Sequence, residues 1–181
     1  MIWESFYWKS DLLKQAAVLR KRVAQKRWPD ASLARCEQTI MLGFYSIRKL
    51  TESAKLTDQV SKMGVPLRSY PSTGRTVHLM NKHRLDELYD FAKPKKQTVL
   101  LPFLCNQVVH SYIFSLLFSE DGPLAGILVT SDRQRSHELL EVSIEMLIAI
   151  FERVGKDEAN VAKVLRFDEK KGDYVYSFTS D

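Results

Sequence analysis

The chain has 181 residues, of which 45% are hydrophobic and 27% charged, with a formal net charge of +5. That length suits one domain, or at most two small ones, and the apolar fraction is enough to build a real core. Seven Gly and six Pro exclude a collagenous or low-complexity chain, and two cysteines, Cys36 and Cys105, exclude a disulfide framework.

Residues Trp3–Trp28 read as a helix, with Leu12, Ala16, Leu19 and Val23 at three- and four-residue spacing. Pro29 ends it, and Asp30 and Ser32 are candidate caps for a second helix from Leu33 to Lys55. The stripe of that helix is Leu33, Cys36, Ile40, Phe44, Ile47 and Leu50. Gly43 beside the stripe costs ~1 kcal/mol against Ala, so a close helix crossing is expected there. The short connection makes the two an antiparallel helical hairpin.

A helical turn is expected at Asp58–Lys62, with Gly64 at its C-terminal stop. Two short strands follow, Val65–Tyr70 and Arg75–Met80, around the turn cluster Pro71-Ser72-Thr73-Gly74. Pro66 lacks a ladder donor and assigns the first strand to a sheet edge. Lys82–Phe91 reads as a short helix, and Lys93-Pro94-Lys95-Lys96 as a surface linker.

Leu101–Ser111 reads as a buried helix with Pro102 in its first turn. The period then changes to two, with strands at Tyr112–Phe118, Leu124–Thr130 and Glu138–Val142. Ser143 caps a helix over Ile144–Val154 that Gly155 stops. A hairpin closes the chain, Val161–Phe167 and Tyr174–Phe178, with its turn at Lys171-Gly172.

Helices first, then a meander of strands, predict an α+β fold: an N-terminal helical hairpin packed with a mainly antiparallel sheet of about five C-terminal strands, carrying one or two further helices. The expectation is a single domain over 1–181, with subdomains 1–95 (helical, basic) and 96–181 (helix plus sheet, acidic). Gln97–Ser119 has no Asp, Glu, Lys or Arg and is long enough to span a bilayer. Pro102, Asn106, Gln107, His110 and two serines inside it argue against a spanning helix. The start, Met1-Ile2-Trp3-Glu4, lacks a signal-peptide pattern, so a cytoplasmic location is expected.

Charge is unevenly spread. Residues 1–100 hold 19 Lys/Arg against 9 Asp/Glu, a balance of +10, and residues 101–181 hold 8 against 13, a balance of −5. Arg20, Lys21, Arg22, Lys26 and Arg27 form the densest basic run. Clustered cations of this kind bind polyanions through counterion release; the structural alternative is a solvated helix face.

No glycine-rich phosphate loop, zinc spacing or nucleophile elbow occurs, and no cofactor is called for. Asn106, Gln107, His110 and Ser111 are the richest polar cluster. At i and i+4 an amide can orient an imidazole for general-base work, with Ser111 beside them; the alternative is a hydrogen-bonded core histidine. Arg133 and Arg135, in a turn, suit a carboxylate or phosphate clamp. His78 and His83 lack a third metal ligand beyond the nearby Asp86, so no metal site is assigned. Trp3, Phe6, Tyr7 and Trp8 form either a stacking or dimer surface or, as the better expectation, a clasp closing the fold.

Three functions compete on these residues. The leading one is a binding module whose basic helical half contacts nucleic acid or an acidic protein. The second is a small hydrolase or nuclease using His110 with Arg133 or Arg135. The third is an interaction protein without chemistry, homodimeric through its aromatic N-terminus.

Overall fold

A computed structural model describes residues 2–158, 163–170 and 172–178 of the chain. Helix α1 spans Ser5–Arg22, shorter than the expected Trp3–Trp28. Glu4 begins it by accepting from the Phe6 N–H at 2.9 Å. After Arg22 the backbone is drawn away from helical geometry: the Trp28 indole donates to the carbonyls of Gln25 (3.1 Å) and Gly122 (2.9 Å), pinning the connection to a distant turn. Helix α2 spans Asp30–Glu52 with Pro29 at its cap position, so Asp30 serves as a first-turn carboxylate and not as the cap. Neither helix forms its partner's main packing surface. The two touch, but α1 lies chiefly along α6 (Ile144–Gly155) and α2 along α5 (Leu101–Val109).

The close crossing expected at Gly43 is real, and its partner is α6. A Cβ at Gly43 would lie 2.1 Å from Cζ of Phe151, so the notch in α2 is filled by that ring. Phe151 meets Phe44 edge-on at 5.7 Å, and both rings are fully buried.

A single turn, α3 (Asp58–Ser61), begins at Thr57, and Asp157 holds the junction together. Its carboxylate accepts from the Thr57 N–H at 2.9 Å and hydroxyl at 2.7 Å, and lies 3.7 Å from the buried ammonium of Lys9. Lys9 also donates to the Asp157 carbonyl at 2.5 Å. Burial outweighs this partner and holds the Lys9 pKa below its ordinary value. Asp157→Asn keeps the shape but removes the ion-pair partner of the buried ammonium and leaves only the weaker pull of the exposed Glu158, so unfolding free energy should drop by roughly 3 kcal/mol. Denaturant titration reads this directly; a loss within error of zero would mean the pair contributes nothing.

The sheet is antiparallel throughout, in the order β2-β1-β5-β4-β3. Its strands are β1 (Gly64–Pro71), β2 (Lys95–Leu100), β3 (Ser111–Phe118), β4 (Leu124–Ser131) and β5 (Glu138–Ser143). The α+β class is as the sequence predicts, but the five strands are not the last five of the chain. Two come from the first hundred residues, and among the described residues β6 (Lys163–Asp168) and β7 (Asp173–Phe178) pair only with each other. Val161, Ala162 and Lys171 of the expected hairpin lie outside the described residues.

Pro66 does not place β1 at an edge, since β2 and β5 flank it. The proline is tolerated because β5 pairs only with Arg68–Pro71, leaving the half of β1 that holds Pro66 paired on one side alone. Lys95 and Lys96, expected in a linker, open β2 and pair with Ser69 and Arg68.

One sheet face packs on the helices. Val65, Leu67, Ile127, Val129, Leu140 and Val142 join the helical stripes in the main core. Ser143 caps α6 as expected, its Oγ accepting from the Met146 N–H at 3.2 Å. A smaller core covers part of the other face, built on Tyr70, Leu128, Leu139 and Ile113 and closed by Val77, Leu88 and Tyr89 from the β1–β2 connection. Arg75–Met80 is not the expected strand. The Asn81 side chain accepts from the His78 N–H (2.8 Å) and donates to the Thr76 carbonyl (2.9 Å), wrapping the backbone into turns. The helix expected over Lys82–Phe91 shrinks to α4, Leu85–Leu88, because Tyr89 leaves to bridge Ser72. Among the described residues no helix is long and apolar enough to cross a membrane; the uncharged Gln97–Ser119 run is divided among β2, α5 and β3.

Candidate functional site

Two clusters that the sequence presents separately meet at one end of the sheet. Ser111 opens β3 opposite Ser131, the last residue of β4, and the Asp132 N–H donates to the His110 carbonyl at 3.4 Å. The α5 terminus carrying His110 is therefore adjacent to the turn carrying Arg133 and Arg135.

His110 is exposed, so it is not the core histidine of the structural alternative. Its Nε2 lies 2.6 Å from Nη1 of Arg48, and Arg48 Nε lies 2.7 Å from Glu52 Oε1. A guanidinium only donates, so Nε2 is the acceptor and the ring proton belongs on Nδ1. The lone pair a general base would use is thus engaged by a cation. Asn106, exposed one turn earlier, makes no side-chain bond to the imidazole. The amide that matters structurally is Gln107: buried, it accepts from the Ser131 N–H at 2.9 Å and ties α5 to β4. Cys105 beside it is buried and pushed up to about 12, which leaves its thiol unreactive near neutrality.

In the β4–β5 turn the two arginines differ. Arg133 is exposed and makes no ion pair among the described residues. Arg135 reaches Asp132 at 3.2 Å and lies 4.0 Å from the ring centre of Tyr112, with Lys82 5.6 Å from the same ring. The Tyr89 hydroxyl fixes the turn by donating to the Arg135 carbonyl at 2.7 Å. Burial pushes that phenol up to about 12, so it remains a donor.

An open groove of about 260 Å³ runs along β3, lined by Lys82, His83 and Leu85 on one side and Tyr112, Ile113, Phe114 and Ser115 on the other. β3 is the outermost strand here, and its eight residues carry no charge. Its ladder to β4 is irregular at Ser111/Ile113 and Leu117/Phe118 and regular between them.

A larger groove, about 470 Å³, opens where β1 and β5 diverge, beside Arg68, Lys96, Glu141 and Ser143. Glu141 is buried between the apolar residues Leu140 and Val142 of β5. It accepts from Arg68 at 2.5 Å and from the Tyr70 hydroxyl, whose pKa burial and this carboxylate push up to about 12. Both its oxygens are engaged, so the cluster reads as a structural lock. Its sequence signal was a lone charge inside Leu139-Leu140-Glu141-Val142.

The basic run on α1 is only partly free. Arg20 pairs with Glu152 of α6 and Arg22 bonds to the Gln25 side chain, whereas Lys21, Lys26 and Arg27 are exposed and without ion pairs among the described residues. The aromatic N-terminus is not a clasp as expected: Trp3 is 96% exposed and Phe6 and Tyr7 also face solvent, while Ile2 and Trp8 alone pack on the core. His78 and His83 share no metal-binding group with a carboxylate among the described residues; His78 Nδ1 instead accepts from the Met80 N–H at 3.2 Å.

Sequence reading overlooked Arg48, Lys82 and Tyr112. Arg48 resembled one more solvated helix cation, and Tyr112 one more strand aromatic; only the pairing of distant segments brings them to the site. No protein-family model matches this sequence, and neither the curated proteins nor the solved structures contain a match to it.

Proposed function

We propose that this chain is a binding module that takes an extended, acidic segment of a partner protein along the outer edge of β3. The observation that carries the reading is the character of that edge: a long, uncharged outermost strand with no strand beyond it among the described residues. Sheet edges normally carry lysines, prolines or bulges that discourage pairing. The opposite edge, β2, has Lys95 and Lys96; β3 has irregularities only near its ends. An extended peptide would find unpaired backbone groups over Ile113–Leu117 and alternate side-chain sites in the groove. Lys82 beside the groove and Arg133 at the start of the strand favour acidic residues on that peptide.

A test uses fluorescence anisotropy with a labelled peptide of alternating Val and Glu, compared with its Val/Lys counterpart. The acidic peptide should bind preferentially, and Arg133→Glu with Lys82→Glu should weaken it by roughly tenfold or more at low salt. Amides of residues 113–117 should exchange more slowly in the complex. Equal affinity for both peptides, or unaltered exchange in β3, would refute the reading.

Nucleic acid is the second reading, favoured by the exposed Lys21, Lys26 and Arg27. Those three are the residues to reverse, since altering Arg20 or Arg22 would also break contacts inside the fold.

A further inference from the structure

We infer that the loop between β1 and α4 is a contact device for an anionic lipid surface, with Leu79 and Met80 as the inserting pair. These two side chains are 69% and 76% exposed, next to each other at the loop's outer turn. Exposure on a slack loop would mean little, because a slack loop can fold apolar groups back. This loop is built. Val77 anchors it in the smaller core, the Asn81 side chain bridges the His78 N–H and the Thr76 carbonyl, and the backbone N–H groups of Asn81 and Lys82 both return to the His78 carbonyl (3.2 and 3.0 Å). The fold therefore holds two bulky apolar groups in water at a fixed place.

The charge around the pair decides what they meet. From Arg75 to Arg84 there is no Asp or Glu, and Arg75, Lys82 and Arg84 flank the tip. Two carboxylates follow, Asp86 and Glu87, and Glu87 is shared by Arg75 (2.8 Å) and Arg84 (3.7 Å). Three cations against two carboxylates leave a balance of +1 over residues 75–87, with Lys82 nearest the apolar tip in sequence. Apolar side chains leading and cations behind them match a bilayer surface, where the first enter the acyl boundary and the second meet anionic headgroups. A protein pocket would demand a shaped counterpart; a lipid surface demands only this order of apolar and charged groups.

The experiment is co-sedimentation of the full chain with vesicles of phosphatidylcholine alone or phosphatidylcholine with phosphatidylserine. The chain should partition onto the phosphatidylserine vesicles and not onto phosphatidylcholine alone. Leu79→Ser/Met80→Ser should lower partitioning by ~tenfold or more, with an unchanged thermal midpoint because neither side chain is buried. Arg84→Glu should lower it to a smaller extent, and added salt should do the same. Partitioning that survives the double substitution would reduce the attraction to net charge and overturn insertion. No partitioning onto either vesicle would overturn it as well and point the pair toward a protein pocket. Lys82 is left unaltered because it also lines the β3 groove, so peptide binding at β3 can fail or succeed independently of this result.

Discussion

Taking the chain from about pH 8 to about pH 11 should remove on the order of 8 kcal/mol of folding stability, comparable to the ~5–15 kcal/mol a domain possesses. Four buried acids are responsible. Burial pushes Cys36 up to about 11 and Cys105 up to about 12, and Tyr70 and Tyr89 each up to about 12. In the unfolded chain the thiols ionise near 9.0 and the phenols near 10.0. Each folded-state pKa is raised, so each contribution is complete below the unfolded value and disappears as pH climbs through the folded one. By about pH 11 the loss is roughly 2–3 kcal/mol for each thiol and roughly 1–2 kcal/mol for each phenol. Lys9 acts in the opposite sense: its lowered pKa makes the folded state gain as pH rises toward 10.5, which softens the fall without reversing it.

Urea midpoints at pH 8, 9.5 and 11 would measure the loss. Cys36→Ala and Cys105→Ala together should flatten the slope by more than half, at a small cost near neutrality. A midpoint independent of pH, or a slope untouched by removing both thiols, would contradict the assignment.

Phe151→Ala should cost about 4 kcal/mol, because its ring is fully buried and fills the gap left by Gly43. The same geometry makes Gly43→Ala change sign with its background. In the native chain the new methyl would lie 2.1 Å from the ring, so overpacking should cost roughly 2–3 kcal/mol. Once Phe151→Ala removes the ring, the remaining close atom is Gln15 Oε1 at 2.9 Å, the end of a flexible side chain that can turn aside, so Gly43→Ala should stabilise by up to ~1 kcal/mol through helix propensity. A double-mutant cycle under denaturant reads this coupling. Equal destabilisation in both backgrounds would show that α2 and α6 do not meet through this pair.

These outcomes depend on features of unequal visibility in the sequence. The helical stripes Leu12–Ala16–Leu19 and Cys36–Ile40–Phe44–Ile47–Leu50 were legible because each depends on a 3.6-residue period within one segment. So, to within one residue at an end, were the strands expected at 112–118, 124–130 and 138–142, together with the Ser143 cap and the special position of Gly43. The failures have named causes: one Asn81 side chain, acting locally, diverts Arg75–Met80 from a strand, whereas the Trp28 indole, tied to the distant Gly122, shortens α1.

The candidate site was legible only in fragments. His110, Arg133 and Arg135 stood out as polar residues in apolar surroundings, but nothing local states that Arg48, sixty-two positions away, would take the histidine's lone pair. Nor does periodicity state that β1 would be interior, that β3 would be outermost, or that Leu79 and Met80 would be held in solvent. The sequence by itself determined most of the elements, because hydrophobic period, caps and turn residues act over a few positions. Tertiary structure alone decided strand order, the exposed edge and the company each cation keeps, because those depend on pairings between distant segments whose free energies are set by the whole core.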